Sequence, residues 1–159
     1  MCRKNAEGRE FHMHFWHLKR DAENRGLGVA LDFAAFQKLC RMMTCFYCRK
    51  DFHRTVWNRK YAPKSWASRL DRMDNEQGYT QDNVVPCCYP CNKGKRATFT
   101  AKEWLVLQAM RRNDAVAALT WVQSTDDDVI VAAQNFKASL LSAYTISSLT
   151  PYPPTEKAL

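Results

Sequence analysis

No uninterrupted apolar stretch in the 159 residues approaches the roughly 18 that a membrane-spanning helix requires, so no membrane partner is expected. The opening residues, MCRKNAEGREFHMH, lack the apolar centre of a secretory signal. This points to a protein kept inside a cell, with cytoplasm, nucleus and organelle left open. No internal repeat is present. The length leaves room for one ordinary domain, or for a small domain with an appendage, but not for a second full-sized domain. Acidic residues are scarce beside basic ones, 16 Asp and Glu against 24 Lys and Arg, for a formal net charge of +8.

The shortage of acid is local. Residues 1–112 hold 22 Lys and Arg against 11 Asp and Glu, whereas residues 113–159 hold 2 against 5. Positive charge gathered in the front two-thirds suits a polyanion, because each neutralised phosphate releases condensed counterions. Nucleic acid, DNA or RNA, is therefore the expected partner. Candidate contacts are Lys19 and Arg20 on a first helix, then Arg49, Lys50, Arg54, Arg59 and Lys60. The latter group interleaves with Phe52, Trp57, Tyr61 and Trp66, a composition that can clamp phosphates and stack on bases or cover a metal site.

Seven cysteines in an intracellular protein argue against a disulfide framework, and their spacing says more than their number. Cys45-Phe-Tyr-Cys48 and Cys88-Tyr-Pro-Cys91 are both C-x-x-C. Two such knuckles about forty residues apart fit a tetrahedral four-thiolate zinc site, each offering two thiolates to one ion. Cys87 competes with its neighbour, but Cys88 has the two-residue spacing to Cys91. Cys2 and Cys40 have no partner by spacing and read as a tail thiol and a small buried hydrophobe. His12, His14 and His17 have a metal-like composition, yet on a helix they read as ordinary surface residues.

Phe11, Phe15, Leu18 and Ala22 recur at helical spacing before Gly26, predicting a helix over residues 9–24. Asp32 as N-cap, with Leu31 packed on Phe36, predicts a second helix running to Arg41. Residues 49–67 read as a long loop or irregular hairpin. A turn at residues 75–78 and an apolar strand at Val84-Val85 suggest a β-hairpin, followed by a short helix beginning near Asn92. Thr100 and Glu103 form a capping box, with Phe99 and Trp104 as its staple, for a helix over residues 101–112. Further helices are expected at residues 114–123 and from residues 124–128. The organisation is then residues 1–112 as the main domain, 113–147 as a helical appendage that could dock a protein partner, and 148–159 as an extended Pro-rich tail.

The run Leu70-Asp71-Arg72-Met73-Asp74-Asn75, then Gly78-Tyr79-Thr80, Asn83-Val84-Val85-Pro86-Cys87-Cys88 and Cys91-Asn92-Lys93, resembles the HNH endonucleases related to recombination endonuclease VII. The resemblance extends over residues 11–110 and takes in Arg25-Gly26-Leu27 and the first knuckle. It implies a zinc-stapled ββα-metal finger, and with the two N-terminal helices and the C-terminal helices read above the expected fold is α+β. It implies Asp71 and Asn92 as ligands of a catalytic Mg2+ or Mn2+, with zinc structural, and Asn83 as the residue hydrogen-bonding across the hairpin loop. Arg72, Lys93, Lys95 and Arg96 would hold phosphate oxygens.

One position departs from that pattern. The general-base histidine is replaced by Arg72, and a guanidinium with a pKa above about 12 cannot accept a proton near neutrality. Asp74, two residues on, would share a strand face with Arg72, and His53, His12, His14 or His17 could approach from elsewhere. Two functions follow: a metal-dependent endonuclease hydrolysing phosphodiester bonds, or a catalytically inactive zinc protein serving as a nucleic-acid-binding subunit of a larger nucleoprotein such as a ribosome.

Overall fold

The computed structural model describes residues 4–42, 44–51 and 70–147, with side chains from residue 11 to residue 142. Of the irregular segment expected over residues 49–67, all but residues 49–51 lies outside the described residues, as does the tail at 148–159. The elements are α1 (Lys4–Glu23), α2 (Phe33–Arg41), β1 (Leu70–Arg72), β2 (Val84–Pro86), α3 (Tyr89–Lys95), α4 (Ala101–Arg111), α5 (Ala115–Gln123) and α6 (Asp126–Ser147).

Helix α1 starts five residues earlier than its apolar pattern suggests, because polar residues can continue a helix without contributing to the buried stripe. It ends where Gly26 takes a positive φ of 68°. Gly26 N donates to Glu23 O and Leu27 N to Ala22 O, both at 2.9 Å, closing the orphan carbonyls of the last turn. In α2 the Asp32 carboxylate accepts from Ala35 N at 2.7 Å, and Leu31 and Phe36 are both buried. Phe11, Leu18, Ala22, Phe36, Leu39 and Cys40 form one core with Leu70, Tyr79 and Val84.

The hairpin stands between this core and a second one. Strands β1 and β2 pair antiparallel, with Leu70 opposite Pro86, Asp71 opposite Val85 and Arg72 opposite Val84. Alternation along β2 sends Val84 to the N-terminal core and Val85 to the core built on the cysteines. Helix α3 begins at Tyr89 rather than near Asn92, because Pro90, its φ already helical, is accommodated in the first turn. Cys91 and Asn92 are thereby placed inside the helix.

Helix α4 carries the complete Thr100–Glu103 capping box, and Phe99 packs on Trp104 with ring centroids 5.4 Å apart. A second reciprocal cap, Thr125 with Asp128, opens α6. Val129 and Ala133 of α6 enter the cysteine core. Lys137, one turn further, is buried and donates to Gln81 O at 2.6 Å and Val84 O at 3.2 Å, fastening α6 to the hairpin. Burial lowers its ammonium pKa, with Asp82 opposing.

The hairpin loop is also tied to the α1–α2 connection. Tyr79 N donates to Gly28 O at 2.8 Å, and Ala30 N and Leu31 N donate back to Tyr79 O at 2.9 and 3.2 Å. A Cβ on Gly78 would overlap the Gly28 carbonyl, whereas one on Gly28 meets nothing within 4 Å. Gly78→Ala should therefore destabilise the fold by about 1–3 kcal/mol in denaturant unfolding, while Gly28→Ala stays within about 0.5 kcal/mol.

Candidate metal centre and nucleic-acid cleft

The first knuckle is a tight turn: Thr44 bridges to Asp51, Cys45 N donates to Lys50 O and Arg49 N to Cys45 O, both at 3.0 Å, with Arg49 at φ 61°. Phe46 N donates to Pro86 O at 2.9 Å, docking the turn on β2. The second knuckle is the start of α3. Together they bring the sulfurs of Cys45, Cys48, Cys88 and Cys91, all buried, within 4.8 Å of one another. Cys48 and Cys88 Sγ are 3.7 Å apart, close to the tetrahedral edge of about 3.8 Å that a Zn–S bond of about 2.3 Å implies. The tetrad fits a metal ion such as zinc.

The thiols share their protons unequally. Hydrogen bonds from Cys48, Cys87, Cys88 and Cys91 hold Cys45 far below the ordinary thiol range. Cys48 is lowered to about 7: the hydrogen bond with Cys45 raises it, but those with Cys88 and Cys91 together outweigh that effect. Cys88 and Cys91 are pushed up, chiefly by hydrogen bonds with Cys45 and Cys48. A metal must displace these protons, so its affinity rises with pH. Cys87 stands apart: burial pushes its thiol up, and Sγ turns to Cys88 O at 3.4 Å.

Beside this centre lies a cleft of about 590 Å³ lined by α1, β1, the hairpin loop and α3. It gathers Asp71, Arg72 and Asn92, together with Arg25, Tyr79 and Arg96. Asp71 is 7% exposed. Its Oδ2 accepts from Tyr47 Oη at 2.6 Å and lies 3.3 Å from Lys95 Nζ. Burial pushes this carboxyl above its ordinary range against the pull of Lys95 and Tyr47, and burial with the Asp71 charge pushes the Tyr47 phenol up. Asn92 Nδ2 donates to Leu70 O at 2.9 Å, fixing the head of α3 to β1.

Asn83 spans the hairpin loop: Oδ1 accepts from Asp74 N at 2.8 Å, and Nδ2 donates to Asp74 O at 3.0 Å and Gly78 O at 2.9 Å. Arg72 Nη1 donates to Asn75 O and Gln77 O, both at 2.7 Å, and its guanidinium lies over Tyr79. It braces the loop. The strand ends at Arg72, so Asp74 does not continue its face; its carboxylate accepts from Glu76 N and Gln77 Nε2. His12, His14 and His17 do not line the cleft: His12 stacks on Phe33, His17 meets Trp16 edge-on, and His14 is buried rather than a surface residue.

The cationic residues divide. Lys93 and Arg96 are exposed on α3 and its end, and Lys19, Arg20, Arg49 and Lys50 are also exposed. Lys19 lies over Phe15, Arg20 over Trp16, and Arg49 over Phe46 and Phe136. Arg54, Arg59 and Lys60, like His53, lie outside the described residues. Lys95 is no phosphate contact. It is fully buried, pairing Asp71 and donating to Arg72 O at 2.9 Å and Asn75 Oδ1 at 3.3 Å, because one helical turn from Cys91 it points into the hairpin.

Sequence reasoning missed Tyr47, Arg25 and Lys137. Tyr47 was one of two residues between knuckle cysteines and gave no separate signal. Arg25 entered the sequence reading only as part of Arg25-Gly26-Leu27; in the structure it is exposed, and its Nη2 donates to Tyr79 Oη at 3.0 Å at the cleft wall.

A solved structure of the rare-cutting HNH restriction endonuclease PacI is similar in fold, with a TM-score of 0.50 at 22% identity, covering 70% of this chain and 79% of that one. No protein-family model and no curated protein matches the chain.

Cys88→Ser should abolish metal binding and cooperative folding, whereas Cys87→Ala should retain one metal ion per chain, read by metal analysis and circular dichroism. Lys95→Met should cost about 3–5 kcal/mol in chemical unfolding by stranding Asp71, while Lys93→Met leaves stability within about 0.5 kcal/mol.

Proposed function

From an HNH-type fold that gathers Asp71, Asn92 and three arginines in one cleft, we propose a DNA-binding protein that grips the phosphodiester backbone there and hydrolyses it with a divalent cation. In this reading zinc fills the cysteine tetrad and is structural. The carrying observation is the cleft itself: residues 25, 71, 72, 92 and 96 meet at one place although they come from three separate stretches of sequence.

The donors suit the chemistry. Asp71 and Asn92 offer hard oxygen ligands of the kind Mg2+ and Mn2+ prefer, and such an ion would neutralise charge developing on the phosphate and leaving oxygen. Arg25 and Arg96 flank that place and bind phosphate oxygens, orienting the backbone. Tyr47 and Lys95 hold the Asp71 carboxylate in a fixed pose from behind. Arg72 contributes positive potential and loop rigidity; with no histidine among the described residues lining the cleft, the attacking water would pass its proton to bulk solvent.

DNA is favoured over RNA because the similar solved structure is that of a restriction endonuclease. The engagement of Arg72 with two loop carbonyls favours a second reading, binding without hydrolysis. The likeness to a restriction endonuclease lends no support to a ribosomal role.

Plasmid, nicked and branched DNA incubated with Mg2+ or Mn2+ should be cleaved. Asp71→Asn and Asn92→Ala should slow cleavage at least about 100-fold, with folding verified by circular dichroism. Arg25→Ala and Arg96→Ala should each reduce the salt dependence of DNA binding by about one charge. Salt-dependent binding without metal-dependent cleavage of any substrate would assign the second reading; loss of neither function on substituting the cleft would sink both.

A further inference from the structure

A second hollow, of about 500 Å³, opens on the exposed side of α3 and is lined by Pro90, Lys93, Gly94, Arg96 and Thr98. Arg96 also lines the cleft, so the two concavities meet at one side chain. Two of the five lining residues are cations and none is acidic, and Lys93, Arg96 and Thr98 are all exposed. The floor is firm: a Cβ on Gly94 would overlap the Trp104 ring, so this turn of α3 lies directly on the core.

Arg96 holds its place against its own backbone. It follows α3 with φ 49° and ψ −147°, a combination open to glycine and costly for a residue with a Cβ. Glycine is the usual residue just beyond a helix, and an arginine there points to work done by its side chain. Its Nε donates to Lys93 O at 3.0 Å, which fixes one edge of the guanidinium and occupies a helix-end carbonyl that would repel an anion. Beyond Thr98 the charge reverses. Thr98 also borders a cavity of about 450 Å³ whose wall carries Asp74, Glu76, Asp82 and Asp126. A polyanion leaving the cleft meets positive charge as far as Thr98 and negative charge after it.

We infer that the hollow is a second phosphate subsite, holding the phosphodiester group next to the one in the cleft. The Lys93 ammonium neutralises that group, the Thr98 hydroxyl donates to it, and Arg96 stands between the two phosphates. One side chain bordering both hollows sets them a single guanidinium apart, which suits neighbouring groups on one strand. The acidic cavity ends the track there. The inference rests on the reading of the cleft as a backbone-binding site and adds where the strand goes on leaving it.

The test is binding of the metal-loaded full chain to a DNA duplex of about 24 base pairs, followed by fluorescence anisotropy over a salt series without Mg2+ or Mn2+. Lys93→Met should weaken binding about tenfold and lower the salt slope by about one, and combined with Arg25→Ala by about two. Thr98→Val should weaken binding with the slope unchanged, since it removes a hydrogen bond and no charge. Lys102→Met, on the wall of the acidic cavity, should leave affinity and slope as they are. A wild-type slope for Lys93→Met beside a lowered one for Arg25→Ala overturns the inference and leaves the cleft reading standing. Wild-type slopes in both variants take down the cleft reading and the inference with it. A slope lowered as much by Lys102→Met as by Lys93→Met, or wild-type affinity in Thr98→Val, also overturns the subsite.

Discussion

Four sulfur atoms meeting at one point set the position of nearly everything else in this protein. Neither knuckle forms a core by itself, and the chain between Cys48 and Cys88 contributes the two three-residue strands of the described hairpin before it returns. A bound metal converts two weak local turns into one crosslink, and its binding free energy becomes folding free energy. The hairpin and α3 then inherit their places: Phe46 is hydrogen-bonded to the end of β2, and Asn92 follows the last sulfur ligand directly. The polar groups of the cleft are thus positioned by the same cysteine cluster on which the second core is built.

The polar interior of the finger is dense for so small a unit. Tyr47, Asp71, Lys95, Arg72 and Asn75 form one connected network in which a buried carboxylate meets a buried ammonium. Such a pair is weak evidence of stability, since desolvation of both ions offsets much of their attraction. Its effect is geometric. A carboxylate held by a phenol on one side and an ammonium on the other has little rotational freedom, and a metal or phosphate site benefits from that fixity. The same network takes Lys95 out of contact with solvent-borne partners and commits Arg72, which stays on the cleft wall, to the loop carbonyls, with Arg25 and Arg96 as the cationic flanks.

Much of this was legible in the residue order. The tetrad could be read from C-x-x-C spacing because a metal imposes its own distances, and Thr100 with Glu103 could be read because a cap is local chemistry. Asn83 was placed across its loop by its resemblance to known sequences, and the hydrogen bonds found there match that placement. The burial of Lys95 was not legible. A lysine among lysines after a cysteine knuckle has the composition of a phosphate contact, and only its angle on α3 turns it inward. The start of α1 and the first turn of α3 were misjudged for a related reason: apolar periodicity reports where a helix is buried, not where it begins. Tyr47, Arg25 and Lys137 act through residues 24, 54 and 53 or more positions away, a distance that no local pattern spans.

The ammonium of Lys137, fixed to the carbonyls of Gln81 and Val84, links the order of synthesis to the completion of the finger. The cysteines and both strands emerge first and can gather a metal, but the loop carrying Asn83 lacks its last tether until α6 has been made and packed. That tether is available only once the chain has been made through residue 137, well after both strands and all four sulfur ligands.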